Sequence, residues 1–365
     1  MRPSWSISSF SLLLFFAAFT TFFSCKKAVI TEYPQEEEQE PVYFENAPYQ
    51  TLSEYGFFVG PMKDQVAAEG VIPVQPASKL FTDYAKKKRW IWMPEGRSAS
   101  YSQDGEILDM PEGTMLIKNF YYDNMQPSGE TKILETRIMF LRDGEWIFGE
   151  YIWNDAQTEA YLDLTGSSRS ISWIDENSNL QSTNYRFPSD TECLICHKRD
   201  TKAIPIGVKP QNINFDYDYD DGTMNQLDKL ISVGYLEPNV PNNILSTVDY
   251  SDPTQDLDLR LRSYLDINCA HCHGGNSHCD YRPIRLAFSE TADPLNIGLC
   301  VDPDEFINSA LTSIIAPANK DRSVMYFRLS ATDENVRMPL LGRSMVHQEG
   351  VQLLEDWINA HPDCN

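Results

Sequence analysis

"RIMFLRDGEWIFGEYIW", residues 137 to 153, places apolar and aromatic runs on either side of Asp143-Gly144. An Asp-Gly pair in that setting is a strong hairpin signal, because the tight turn that suits twisted strands needs positive φ at both central residues. Moving outward, "YSQDGEILDMPEGTMLIKNFYY", residues 101 to 122, repeats the logic, with turn chemistry at Asp104-Gly105 and from Pro111 to Gly113. Trp90, Trp92, Trp146 and Trp153 alternate with other residues as they would on sheet faces, which predicts a buried aromatic core. Residues 49–188 are therefore expected to form a β-rich module, a size within the usual domain range.

After Pro188 the texture changes. "GTMNQLDKLISVGYLEP" carries Leu227, Leu230 and Ile231 at helical spacing, and "DLDLRLRSYLDINCAHCHGG" carries Leu257, Leu261 and Leu265. "MVHQEGVQLLEDWINAHP" closes the chain with Val351, Leu354 and Ile358 on one stripe. The expected fold class is α+β, with a β-rich module followed by mostly α-helical domains over 189–250 and 251–365.

The 365 residues carry 53 acidic against 30 basic side chains, a balance opposite to that of a nucleic-acid binder. Arg2 precedes the apolar run "FSLLLFFAAFTTFF", which is too short to span a bilayer and fits the core of a signal peptide. Residues 1–25 are thus expected to direct export. "TFFSCKK" resembles a bacterial lipoprotein signal, which implies that Cys25 is acylated and anchors the protein at a membrane on the periplasmic side. Residues 26–48, acidic and poor in core formers, read as a tether.

The chemistry concentrates in two pentapeptides, Cys193-Leu-Ile-Cys196-His197 and Cys269-Ala-His-Cys272-His273. A zinc ribbon wants its CxxC pairs roughly 15 to 20 residues apart, whereas 72 residues separate Cys196 from Cys269. A thioredoxin-like disulfide wants one CxxC in a βαβ setting, which these stretches do not offer. A histidine directly behind each pair is what covalent haem requires. Two cysteines form thioethers and the adjacent imidazole binds the iron. Two haem c groups are expected, held by Cys193, Cys196, Cys269 and Cys272, with His197 and His273 on iron.

From about Asp256 to Ile358 the chain resembles the cytochrome c superfamily: a helix leading into CxxCH, the Arg337-Met338-Pro339 stub, Gly342, and a final amphipathic helix with Trp357. The resemblance implies Met338 as the sixth ligand of the second iron, 65 residues after His273. Pro339 also disfavours helical geometry at Met338 and so keeps it on extended backbone. Met325, Met345, His278 and His347 are spare candidates. The first motif lacks an apolar helix ahead of it, and Met224, 27 residues on, stands between a packing role and an axial one. The layout resembles exported bacterial di-haem cytochromes c with an N-terminal β-rich module, and "PEGTMLIKNFY" is loosely similar to the β module of P460-type cytochromes, whose haem-linking lysine it does not assign. What this implies is electron transfer between periplasmic or membrane redox partners. The alternative is a peroxidase-like or ligand-binding haem enzyme whose first haem is reactive.

Three further cysteines remain. Cys279 and Cys300 flank the loop expected over the second haem and are the expected disulfide, although Cys364 competes for either. "FDYDYDDGT" fails the helix-loop-helix calcium pattern, since its sixth and twelfth positions are Asp221 and Leu227, and reads as an acidic turn.

Overall fold

The computed structural model describes residues 44–364; the signal-like segment, Cys25 and residues 26–43 of the tether lie outside the described residues. Alternating side chains in the first half produce an eight-stranded antiparallel sheet. Its strands are β1 (Ile72–Pro73), β2 (Lys86–Trp92), β3 (Met115–Met125), β4 (Glu130–Arg142), β5 (Glu145–Trp153), β6 (Ala160–Leu162), β7 (Thr165–Ile174) and β8 (Leu180–Ser189). Strands β1 to β6 pair in sequence order, and β7 pairs with β3 and β8. Asp143 (φ 55°) and Gly144 (φ 71°) make the β4–β5 turn, and both N–H groups donate to the Glu112 carboxylate.

Because side chains alternate along each strand, the sheet has two chemically different faces. Trp90, Ile117, Ile138 and Phe140 point one way and pack with Tyr151, Trp153, Leu52, Tyr55 and Phe57 into an aromatic core. Trp92 packs at the edge of that core, whereas Trp146 packs against a second one built from Ile91, Met93, Val208, Ile213, Leu227 and Leu230. The second core joins sheet residues to residues beyond 200, so the described residues form one compact unit.

The part after Ser189 corrects the expected fold class. The mostly α-helical cytochrome-like domains are not seen: strand exceeds helix, 27% against 20%. The helices are α1 (Asp190–Cys196), α2 (Pro210–Ile213), α3 (Gln226–Ser232), α4 (Leu257–Asn268), α5 (Pro294–Ile297), α6 (Val324–Ser330) and α7 (Gln348–Ala360). Two short hairpins intervene: β9 (Lys198–Arg199) with β10 (Lys202–Ala203), and β11 (Asp216–Tyr219) with β12 (Gly222–Asn225). The periodic stretches are helical over all their apolar positions, Leu227 to Ile231, Leu257 to Leu265 and Val351 to Ile358, but the chain between them is not. Most of the chain between α4 and α7 is rich in Pro, Gly, Asn, Asp and Ser, whose side chains and φ preferences satisfy the backbone in turns. Helices α4 and α7 nevertheless pack face to face, with Leu261, Leu265, Leu354, Trp357 and Ile358 in one core and Trp357 Nε1 donating to Asp258 Oδ1 at 3.2 Å.

Candidate functional site

Strand β8 runs directly into α1. The Ser189 hydroxyl caps the helix by accepting from Glu192 N–H, and the Glu192 carboxylate accepts in turn from Ser189 N–H at 2.8 Å. Cys193 and Cys196 are therefore one helical turn apart and share a face. His197 ends the helix, and its ring Nδ1 lies 3.0 Å from the carbonyl of Ile204. That contact fixes the proton on Nδ1 and leaves Nε2 as a lone-pair donor. Burial pushes the His197 pKa down to about 4, so the ring is neutral as a metal ligand must be.

The second motif is built differently. Asp256 caps α4 by accepting from Asp258 and Leu259 N–H, and the helix ends at Asn268. Cys269 then begins a turn in which Cys272 N–H and His273 N–H both donate to its carbonyl, at 3.0 and 2.9 Å. Asp266, buried one turn before Cys269, anchors this end by accepting from Lys209 Nζ (2.8 Å), Asn212 Nδ2 (2.9 Å) and Phe288 N–H (3.0 Å). Burial alone would raise its carboxyl pKa, but Lys209 outweighs that and holds it low. Burial likewise pushes His273 down to about 4, and its Nδ1 is enclosed without a partner.

The two motifs meet. Ligand atoms of Cys196, His271 and Cys272 all lie within 4.8 Å of one another, and Cys272 Sγ donates to the carbonyl of Ile195 at 3.4 Å. The thiols of Cys196 and Cys272 interact, which lowers the pKa of the first and raises that of the second. Cys193 and Cys269 are each pushed up to about 12 by burial.

Each motif opens into its own cavity. The one at Cys269, Cys272 and His273 encloses about 1140 Å³ of atom-free space, counting its mouth, and is lined by Leu265, Leu286, Ile314, Leu329 and Met338. The Met338 backbone is clamped from both sides: its N–H donates to Arg328 O at 3.0 Å, and Arg343 Nη2 donates to its carbonyl at 2.8 Å. Met325 and His278 share this cavity. His347 does not line it, but lies behind Tyr264 with Nδ1 3.1 Å from the tyrosine hydroxyl, and Met345 packs instead against the core around Trp173 and Tyr185. The cavity at Cys193, Cys196 and His197 is larger, about 2150 Å³ on the same basis, and its far wall is the sheet. Cys196, Asn268, His271, Pro339 and Leu341 line both. Asp83 ties the Met-Pro loop to the sheet module by accepting from Ser344 and Met345 N–H at 2.7 and 2.8 Å.

Two expected residues fall elsewhere. Met224 sits on β12, 40% exposed and away from both cavities, because the Asn225 side chain caps α3 and starts that helix two residues after it. The disulfide joins Cys300 to Cys364, not to Cys279. Cys279 is buried beside the second motif with its N–H on the carbonyl of Cys272, while the end of α7 brings the C-terminus to Cys300. The acidic turn is a hairpin in which Asp221 pairs with Lys229 at 2.6 Å. Residues of the first cavity that local reading missed, Lys118, Arg137, Glu150, Tyr185 and His271, come from four strands, β3, β4, β5 and β8, and from the interior of the second motif. The signal of the first three was charge inside apolar strands.

Comparison with protein-family models, with curated proteins and with solved structures returns no match, so the site is read from its own geometry.

Proposed function

We propose that this chain is an exported di-haem c-type cytochrome that passes electrons between redox partner proteins from a lipid anchor at Cys25. The supporting observation is the pair of adjoining cavities, each opening on one CxxCH motif and sharing the wall formed by Cys196 and His271. Two covalently bound haems supply one-electron redox chemistry. Cys193 and Cys196 would hold the first and Cys269 and Cys272 the second, with His197 and His273 as iron ligands. The residues present fit such groups: both imidazoles are neutral, His197 is oriented by Ile204 O, and Met338 is fixed by its backbone in the second cavity. His/Met ligation at the second site would favour a higher potential than bis-histidine. Leu265, Leu286, Ile314 and Leu329 give that site apolar walls.

A second reading, a ligand-binding or catalytic first haem, is favoured by the buried charged side chains in the larger cavity. A pyridine haemochrome assay on the purified exported protein tests the common basis. Two haems per chain that resist acid-acetone extraction are expected, falling to one covalent haem in Cys193→Ala/Cys196→Ala and in Cys269→Ala/Cys272→Ala. Zinc in place of iron on metal analysis would instead assign Cys196, His271 and Cys272 to a metal-ion site.

A further inference from the structure

Four side chains form a row across the sheet in direct register: Arg89 on β2 opposes Lys118 on β3, Lys118 opposes Arg137 on β4, and Arg137 opposes Glu150 on β5. All four line the larger cavity together with Cys193 and His197. Like charges directly opposite one another on neighbouring strands are destabilising, and this row sets three cations side by side in the middle of a sheet. The partners present do not balance them. Glu135, fully buried, takes a two-point hydrogen bond from Arg137, Nη2 to Oε1 at 2.6 Å and Nε to Oε2 at 3.0 Å, and accepts from the Tyr185 hydroxyl at 2.6 Å. Among the described residues the Arg89 side chain donates to a neutral amide oxygen, Gln75 Oε1, at 2.9 Å. Lys118 has no carboxylate partner among the described residues and rests its ammonium 4.7 Å from the centre of the Phe120 ring.

Glu150 does not supply the missing charge. It is 3% exposed, and neither carboxyl oxygen has a hydrogen-bond partner among the described residues. Burial and the neighbouring Glu135 carboxylate push its pKa well above the usual carboxylate range, which favours the protonated, uncharged form. The same enclosure and the flanking guanidiniums of Arg89 and Arg137 press the Lys118 ammonium toward its neutral form. In a chain whose net charge is −23, a cavity wall that sets two guanidiniums and a lysine against the single carboxylate of Glu135, beside a buried acid, is an unusual arrangement.

We infer that the row Arg89–Lys118–Arg137–Glu150 is an anion-binding site in the first haem's cavity, with Lys118 and Arg137 facing the negative charge and Glu150 hydrogen-bonding to it. The inference rests on the haem reading of Cys193, Cys196 and His197. The anion has two possible sources, a carboxylate of the bound haem itself or a small diffusible anion that reaches the first iron.

Azide and imidazole, an anionic and a neutral ligand for ferric haem, separate these in optical titrations of the holoprotein, after the haemochrome assay has counted two haems. For a diffusible anion, Lys118→Gln weakens azide binding at the first haem by about tenfold or more and leaves imidazole binding unchanged, and Lys118→Arg restores azide. For the haem's own carboxylate, azide does not respond and Lys118→Gln instead shifts the propionate bending bands in resonance Raman spectra. Arg89→Gln, at the rim of the row, is read in the same two ways should Lys118→Gln fail to fold. Two bound haems with neither response in any variant overturn the inference alone. A chain that carries no haem overturns it together with the proposed function.

Discussion

Gly350→Ala is expected to destabilise the protein even though alanine is the better helix former. Gly350 lies in the first turn of α7, where a Cβ would stand 2.3 Å from the Tyr264 hydroxyl oxygen, 2.5 Å from its Cζ and 2.8 Å from His347 Nδ1. Ordinary contact between such atoms needs roughly 3.5 Å, so the two helices must separate by about 1 Å or the tyrosine must tilt. Tilting breaks the Tyr264–His347 hydrogen bond of 3.1 Å and drives the ring toward the second cavity, which it lines. Overpacking of this kind costs about 2 kcal/mol, loss of a buried hydrogen bond about another 2, and the gain in helix propensity returns at most about 1. The net loss is about 3 kcal/mol, which for a chain of this size lowers the urea midpoint by about 1 M. Equilibrium denaturation of the holoprotein, followed by circular dichroism, measures it. Tyr264→Ala in the same chain opens the space, so the double variant is expected to lose less than the sum of the two single ones. A Gly350→Ala protein as stable as the parent, or additive behaviour in the cycle, would refute the packing described for α4 and α7.

Three further outcomes follow from the same coordinates. Cys364→Ser opens the bridge to Cys300, which spans 64 residues; the loop-closure estimate puts the loss at about 4 kcal/mol, and alkylation of the unreduced parent after denaturation is expected to label Cys279 but not Cys300 or Cys364. His347 is 4% exposed, stacks on Phe81, and is held by burial at a pKa of about 3. Its folded pKa lies below the unfolded value, so the unfolded chain binds the extra proton: this contribution is full above about pH 6.5 and is lost as pH falls toward 3, at most about 5 kcal/mol in all. His347→Gln is expected to flatten that part of the stability profile, and an unchanged acid limb would argue against the buried neutral ring. If the proposed haem ligation holds, replacing Met338 by Ala is expected to remove the sulfur-to-iron absorption near the red end of the oxidised spectrum without loss of covalent haem, and an unaltered spectrum would transfer the ligand role to Met325 or His278, which share the cavity.

Much of the molecule was legible before folding was considered, and for a common reason. The β4–β5 hairpin, the helical spacing of α4 that runs into Cys269, and the amphipathic stripe of α7 depend on residues within a few positions of one another. Helical periodicity at Leu227, Leu261 and Leu354 marks real helices, but the mostly helical domains expected around them are not formed. Between those segments the turn-forming residues set a chain path that propensity alone does not reveal. Met224 shows the limit at single-residue scale. It shares the apolar spacing of α3, yet the Asn225 cap leaves it in the preceding strand.

The sequence by itself determined the candidate attachment chemistry, because a CxxCH motif is contiguous: a turn of helix or a tight loop suffices to bring two thiols and an imidazole together, as α1 and the turn after Asn268 each do. Only the tertiary structure decided that the two motifs touch through Cys196, His271 and Cys272, that Cys300 pairs with Cys364, and that Arg89, Lys118, Arg137 and Glu150 line one cavity. These groupings join residues tens of positions apart. They follow from strand register and from the route of the loops, which are fixed by the burial of the whole chain and by no local stretch of it.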